Sequence, residues 1–392
     1  MKKSLLAAMI AAVVAAPAAN ASVTIYGKIH ASIDMIDYSH SRDTIDDIDA
    51  WYVVSRASRI GFKGTEDLGN GMSLIWKAET GYDITDGDAW GGGRNAYIGL
   101  AGDWGTFLYG NHDTPLKIST GKLDLFGDQL GDYNWSAGPE GALLGPGFHD
   151  VRAENAIAYI SPNMNGLTFA AAIVPGEGLD YDVYGGGPDY TGPHTQNGLA
   201  DSYSVAAMYS NNGLHLSAGY ENLMAGTYYD TLFSKISPSL SSLELILREH
   251  DDDMQVWRVG AGYTMNAFTV NFVYENQQFD DVGIWRRNYS VINPRSEYEA
   301  DAWQVSAAYD FGNNRIKLAY GENDADVVTE SGPISGKSQH WTLGLDHKLS
   351  KRTMAYAQYA HAESDADYEA DGRDYSMDEE TSGFSIGLVH SF

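Results

Sequence analysis

In the stretch AFTVNFVYENQ, Phe268, Val270, Phe272 and Tyr274 take alternate positions, and Thr269, Asn271, Glu275 and Gln277 take the interleaved ones, with Val273 the exception. A period of two belongs to a strand with one apolar and one polar face. Similar alternation runs through residues 23–33, 71–82, 151–159 and 384–392. Between such segments the connections alternate in length. Seven are short and rich in the Asn, Asp and Gly that tolerate hairpin geometry, at 66–71, 102–105, 162–166, 211–213, 265–267, 312–314 and 349–352. Eight are long and polar, at 38–50, 83–93, 112–151, 175–200, 222–253, 278–298, 322–337 and 363–383. Seven short and eight long connections predict sixteen strands with both chain ends on the short-turn side. An even strand number with turns on one side and loops on the other is the pattern of a transmembrane β-barrel. Barrels of that size enclose water, whereas eight-stranded ones fill with side chains.

The first 21 residues, MKKSLLAAMIAAVVAAPAANA, run from two lysines through an apolar stretch to small residues, the three-part form of a secretory signal peptide. The mature chain is expected to start at Ser22, and residues 22–392 to form one barrel domain. Beyond residue 21 no stretch approaches the roughly 20 apolar residues of a membrane helix, and mean hydropathy is negative. A barrel strand, greasy at only every second position, escapes such a scan. The 43 Gly, 26 Tyr and 9 Trp with no Cys fit an exported all-β chain without disulfides. A net charge of −28 argues against nucleic acid as a partner.

The last strand, GFSIGLVHSF, sets Phe384, Ile386, Leu388, His390 and Phe392 on one face and stops on an aromatic residue. With that ending, the segments VTIYGKIHASID (23–34), SRIGFKGTEDLGNGMSLIWKAE (58–79), GNHDTPLKISTGKLDLFGDQLGDYN (110–134), NAIAYISPNMNGLTFAAAIVPGE (155–177) and LSKRTMAYAQYAH (349–361) resemble the Gram-negative general diffusion porins. The likeness is to the trimeric proteobacterial family with neisserial and Comamonas-type members. It implies a homotrimer of 16-stranded antiparallel transmembrane β-barrels in the outer membrane, each a water-filled channel for ions and small hydrophilic solutes. It further implies an inward-folded third loop that narrows the lumen, its acids facing bases across the waist. Outer-membrane lipid, lipopolysaccharide and the barrel assembly machinery are the partners implied. The machinery reads a final strand ending in Phe, and His390 stands where relatives often carry a second aromatic.

Strand parity gives a separate route to the wall. With Ile25 and Ile29 outward, Lys28 and His30 face in; Ile60 and Phe62 outward place Arg59 inward. Leu74 and Trp76 outward place Lys77 and Glu79 inward, Tyr97 outward places Arg94 inward, and Ile157 and Tyr159 outward place Arg152 and Glu154 inward. Arg56 shares the parity of Ile60 and is expected outward. Lys28, Arg59, Lys77, Arg94 and Arg152 are thus the expected basic lining. Asp124, Asp128 and Asp132 of the third long connection are the expected acids; their i, i+4, i+8 spacing would place them on one helical face, although Gly127 and Gly131 weaken a helix there. Opposed charge rows across a narrow waist sort ions by sign. The strongly negative chain, with Leu108 and Asn111 where relatives tend to carry a base, predicts cation preference or weak selectivity.

The acidic stretches 248–253 and 363–380 lack the spacing of an EF-hand, and no H-E-x-x-H occurs. They are expected to be a solvated outer face, with loose Ca²⁺ or Mg²⁺ bridging to lipopolysaccharide phosphates as the milder alternative; no resident metal or cofactor is expected. The sequence has no G-x-S-x-G, Cys nucleophile, P-loop or dinucleotide fingerprint, so catalysis is not expected. The closer rival is a substrate-selective channel, for example for sugars, since Tyr and Trp are abundant. Adhesion through the long loops belongs to another class again.

Overall fold

Phe268, Val270 and Phe272 are 57%, 53% and 39% exposed, whereas Asn271 and Glu275 beside them are 4% and 0% exposed. That inverts a water-soluble sheet, where the apolar face is the covered one. The same inversion holds at Ile25, Ile29 and Ile33 against buried His30, Ser32 and Asp34, and at Ile316 and Leu318 against buried Lys317.

The structure is a computed structural model that describes residues 22–40, 47–86, 92–134, 144–176, 198–224, 243–247, 253–279, 282–286, 289–293, 297–329, 332–370 and 373–392. The leader expected at residues 1–21 and the acidic residues 248–252 lie outside that set. The strands are β1 (Ser22–His40), β2 (Ile48–Ser55), β3 (Arg59–Gly69), β4 (Met72–Gly81), β5 (Gly92–Gly102), β6 (Gly105–Asp113), β7 (Arg152–Ile160), β8 (Leu167–Val174), β9 (Ser202–Asn211) and β10 (Leu214–Met224). They continue with β11 (Leu243–Leu247), β12 (Asp253–Met265), β13 (Phe268–Phe279), β14 (Val282–Arg286), β15 (Tyr289–Asn293), β16 (Glu297–Phe311), β17 (Asn314–Thr329), β18 (Gly332–Lys348), β19 (Thr353–Ala370) and β20 (Arg373–Ser391). One described helix, α1 (Pro115–Thr120), follows β6.

Neighbouring wall strands pair antiparallel, and β1 pairs with β20 from Lys28↔Ser391 to His40↔Glu379, which closes the sheet and leaves no unpaired edge. Both β2 and β3 lie along β1, through Ala31↔Ser55 and Lys28↔Arg59, so they are halves of one wall strand. The closed barrel therefore has sixteen strands, as the connection pattern predicts. β11, β14 and β15 form a separate three-stranded sheet within two of the long connections.

The seven short connections are hairpin turns. At Asn212-Gly213 both residues have positive φ, 49° and 81°, the backbone of a tight primed turn. A Cβ on Gly213 would lie 2.2 Å from the Thr264 carbonyl oxygen. Two long connections are shorter than expected. β17 and β18 stay paired to Thr329↔Gly332, and β19 and β20 to Ala370↔Arg373. Ladder hydrogen bonds need no apolar side chains, so the polarity of 322–337 and 363–383 marks strands running on past the apolar band rather than loops. The C-terminus is tied in at Gly27, whose N–H donates to the Phe392 carbonyl and whose carbonyl accepts from the Phe392 N–H, both at 3.1 Å. The Phe392 ring covers Gly27, and His390 on the same face bonds Thr353 through Nδ1 at 2.9 Å.

Candidate functional site

The connection from β6 to β7 opens with Thr114, whose Oγ1 accepts from the Lys117 N–H at 3.4 Å and caps α1; Pro115, lacking an N–H, suits the first turn. The helix stops at Thr120, and residues 121–133 proceed in turns. The expected single helical face of Asp124, Asp128 and Asp132 is therefore not formed. Asp124 Oδ1 accepts from the Phe126 N–H at 2.8 Å, and Asp132 accepts from the N–H groups of Asp128 at 2.5 Å and Asn134 at 2.9 Å. Two of the three acids thus stitch the segment to itself. Asp128, at φ 61°, alone turns its carboxylate to wall bases. Short side chains that bond nearby backbone favour turns over helix, and Gly127 and Gly131 add to that preference.

The segment packs on the wall face opposite the exposed apolar residues. Leu116, Leu123, Phe126 and Leu130 are each at most 2% exposed, and each meets a strand glycine: Leu116 at Gly219, Leu123 at Gly260 and Gly262, Phe126 at Gly344, and Leu130 at Gly383. Two buried bases complete the attachment. Arg258 of β12 donates to Glu275 (2.6 Å), Thr120 Oγ1 (2.8 Å), Asp150 (2.8 Å) and the His149 carbonyl (2.6 Å). Lys317 of β17 donates to the Leu125 carbonyl (2.9 Å) and Gln129 (3.0 Å), pairs with Asp346 (2.9 Å), and stands 4.4 Å from the centre of the Phe126 ring. Neither base was among the sequence candidates. Their signal was present, since both interleave with outward apolar residues, Trp257 and Val259 for one and Ile316 and Leu318 for the other.

Four of the five expected bases come together. Glu79 is met by Arg94 Nε at 2.6 Å, Lys77 Nζ at 3.2 Å, Arg59 Nε at 4.0 Å and the Tyr26 hydroxyl at 2.7 Å. Lys28 pairs with Asp128, and Arg59 Nη1 reaches the same carboxylate at 3.6 Å. Four cations are thus interleaved with two carboxylates. Arg152 stands apart, bonded to Asp113 at 2.9 Å and Asn95 at 2.7 Å. Asn155, at φ 53°, accompanies a register shift between β6 and β7, and simple parity does not carry across it.

Two orientations differ from expectation. Arg56 does not point outward: it is 7% exposed, pairs with buried Asp34 and donates to Ser32 Oγ at 3.1 Å. The break between β2 and β3, with Ala57 at φ 45°, resets the alternation. Tyr97 is not outward either. Ile98 and Leu100 are the exposed residues there, and Tyr97 packs against His112 and the cluster of Leu108, Ala158 and Ala172. Arg94 reaches Glu79 nonetheless, because the β4–β5 register shifts between Ala78 and Thr80.

The acids of the connecting segment differ in charge state. Burial pushes the Asp128 carboxyl up, but the Lys28 ammonium, Arg59 and Arg94 outweigh it and hold it below the usual carboxylate range. Burial pushes Asp132 up to about 6, against its two backbone hydrogen bonds. Burial and then the neighbouring Asp132 charge raise Asp124 as well.

The model of the Gram-negative porin family matches residues 6–367. The major outer membrane protein P.IB of Neisseria gonorrhoeae is 27% identical over 358 residues, covering 91% of this chain and 92% of its own. The protein of the same name from Neisseria meningitidis is 27% identical over 399 residues and covers both chains completely. Among solved structures, the anion-selective porin from Comamonas acidovorans superposes with a TM-score of 0.65 at 21% identity, over 95% of this chain and 100% of its own.

Proposed function

The chain belongs to the Gram-negative porin family and is a multi-pass β-barrel of the outer membrane, and from that premise we propose a water-filled channel for passive diffusion of ions and small hydrophilic solutes, narrowed by the connection between β6 and β7. In this reading residues 114–134 and 144–151 stand inside the barrel. The passage runs between Asp128 on that segment and the wall group of Lys28, Arg59, Lys77, Arg94 and Glu79. Arg152 contributes a further base at the start of β7.

The observation that carries the selectivity is the interleaving of bases with Glu79 and Asp128. Each cation in the group lies within 4.0 Å of a carboxylate, so the field a permeating anion meets is largely cancelled at the narrowest place. The surrounding chain has 53 acids against 25 Lys and Arg. The channel therefore prefers cations or discriminates weakly, in contrast to the similar Comamonas acidovorans barrel, which is anion-selective. Reversal potentials across a planar bilayer in a salt gradient test this. Cation-side or near-zero values are expected, and a clear anion preference refutes the selectivity while leaving the channel intact.

Removal of residues 1–21, insertion by the barrel assembly machinery through the strand ending in Phe392, assembly as a homotrimer and contact with lipopolysaccharide complete the proposal. A structurally similar Vibrio cholerae protein, OmpT, is described in a trimer form. The alternative is a substrate-selective channel, for example for sugars; large open steps unaffected by added sugars favour the general pore, and block by one solute favours the selective one.

A further inference from the structure

A cavity of about 400 Å³ opens between the connecting segment and the β9–β10 hairpin, on the side of the segment away from the Glu79 group. Its wall comes from the segment at Lys122 and Leu123, from the turn at Ser210 and Asn211, and from β12 and β13 at Thr264, Thr269 and Asn271. The β12 and β13 residues have the parity opposite to exposed Tyr263, Met265, Phe268 and Val270, so the cavity faces the same side of the wall as the segment.

Two features distinguish it. Among the described residues, none that lines it carries a carboxylate, in a chain with 53 acids. Lys122 is exposed, and among the described residues its ammonium has no ion-pair or hydrogen-bond partner, which leaves it available to a solute. Uncharged donors and acceptors supply the rest of the wall. Thr264 and Thr269 Oγ1 bond one another at 3.1 Å and keep free lone pairs, and Ser210 Oγ stands 2.7 Å from His215 Nδ1. Asn271 is fixed by donating to the Leu123 carbonyl at 2.9 Å. The size is that of a small-molecule site.

We propose that this cavity is a transit subsite for a singly charged, hydroxyl-rich organic anion of sugar-acid type, its carboxylate on Lys122 and its hydroxyls on the Ser, Thr and Asn side chains. One ammonium matches one negative charge, and neutral hydroxyl and amide groups suit a polyol body better than an apolar one. The inference deepens the channel reading and rests on it, since a site on the segment side of the wall acts on transit only if solute passes through the barrel. A weak site there lengthens the stay of such an anion without adding a barrier to cations at the Asp128 passage.

Gluconate is the probe, with glucose and acetate as controls for its two halves. Binding to the purified full-length protein in detergent is read by ligand-observed NMR titration, which needs no conduction, and channel opening is read separately as current steps in a bilayer. Gluconate is expected to bind at least about tenfold more tightly than either control, and Lys122→Gln to weaken it about tenfold, the loss of one charge-assisted hydrogen bond. Thr269→Val is expected to weaken gluconate but not acetate. Equal binding of gluconate and glucose, or unchanged gluconate binding in K122Q, overturns the assignment. Gluconate binding without current steps tells against the channel reading alone, and current steps without gluconate binding tell against the subsite alone.

Discussion

Arg94 Nε lies 2.6 Å from Glu79 Oε1, and the carboxylate that receives it also receives Lys77 and Tyr26. A base that sequence parity counts toward an anion-attracting wall is thereby paired inside the wall itself. In the proposed passage the sign depends on Glu79 as much as on Arg59, Lys77 and Arg94 around it.

Glu79→Gln keeps the shape and removes the charge, which leaves Lys77, Arg94 and Arg59 with one fewer counter-charge. A unit charge about 4 Å away in water is worth about 1 kcal/mol, or about fivefold in relative permeability. The reversal potential in a salt gradient is expected to move toward anions by about that factor. An unmoved potential would mean that the group lies off the ion path.

Asp132 supplies a pH dependence with a definite sign. Its carboxyl titrates at about 6 in the fold against an ordinary 3.8, so the folded segment holds the proton more tightly than an unfolded one. The contribution to stability is fully present below about pH 4 and is lost as pH rises through 6; the whole gap is equivalent to about 3 kcal/mol. Hydrogen exchange of residues 126–134, corrected for intrinsic rates, is expected to slow between pH 7 and pH 5 in the wild type and to slow less in Asp132→Asn, where Asp124 alone keeps a raised carboxyl. Matching slopes in the two proteins would falsify this.

Arg258 joins Thr120, His149 and Asp150 of the connecting segment to Glu275 of the wall. Arg258→Met leaves two carboxylates covered without their cation, at a cost of about 3–5 kcal/mol. Faster proteolysis within the segment and noisier current steps are expected while the barrel circular dichroism persists. Loss of the barrel signal would show instead that Arg258 supports the wall.

Gly260 is a socket for Leu123, since a Cβ there would lie 2.5 Å from Leu123 Cδ1. Gly260→Ala is expected to destabilise segment docking by about 1–3 kcal/mol through overpacking, and adding Leu123→Ala is expected to recover part of that loss. Thermal unfolding of the single and double variants reads the coupling; strict additivity would mean that the two do not meet.

The strand count, the alternation of turns and long connections, and the greasy outer face were all legible in the chain, because a period of two and an Asn-Gly turn are local facts. Parity also grouped Lys28, Arg59 and Lys77, which lie on uninterrupted stretches of strand and meet Glu79 or Asp128. It failed at Arg56 and Tyr97. One lies beside the break at Ala57, and at the other Tyr97, taken from the pattern as greasy and outward, packs on the wet face. Arg94 meets Glu79 although its parity was taken from Tyr97, because of a register shift that no composition signals.

By itself the sequence determined a closed barrel with a long, Gly-dotted, acidic connection between two wall strands, because burial of alternate residues and hairpin chemistry are written within a few positions. Only the tertiary structure decided what the acids of that connection do. Asp124 and Asp132 turn back on their own backbone, Asp128 meets Lys28 at a separation of 100 residues, and Lys317 grips Leu125 across 192. Contacts of that span depend on where the closed wall brings distant strands, and a helical spacing of three aspartates carries no information about it.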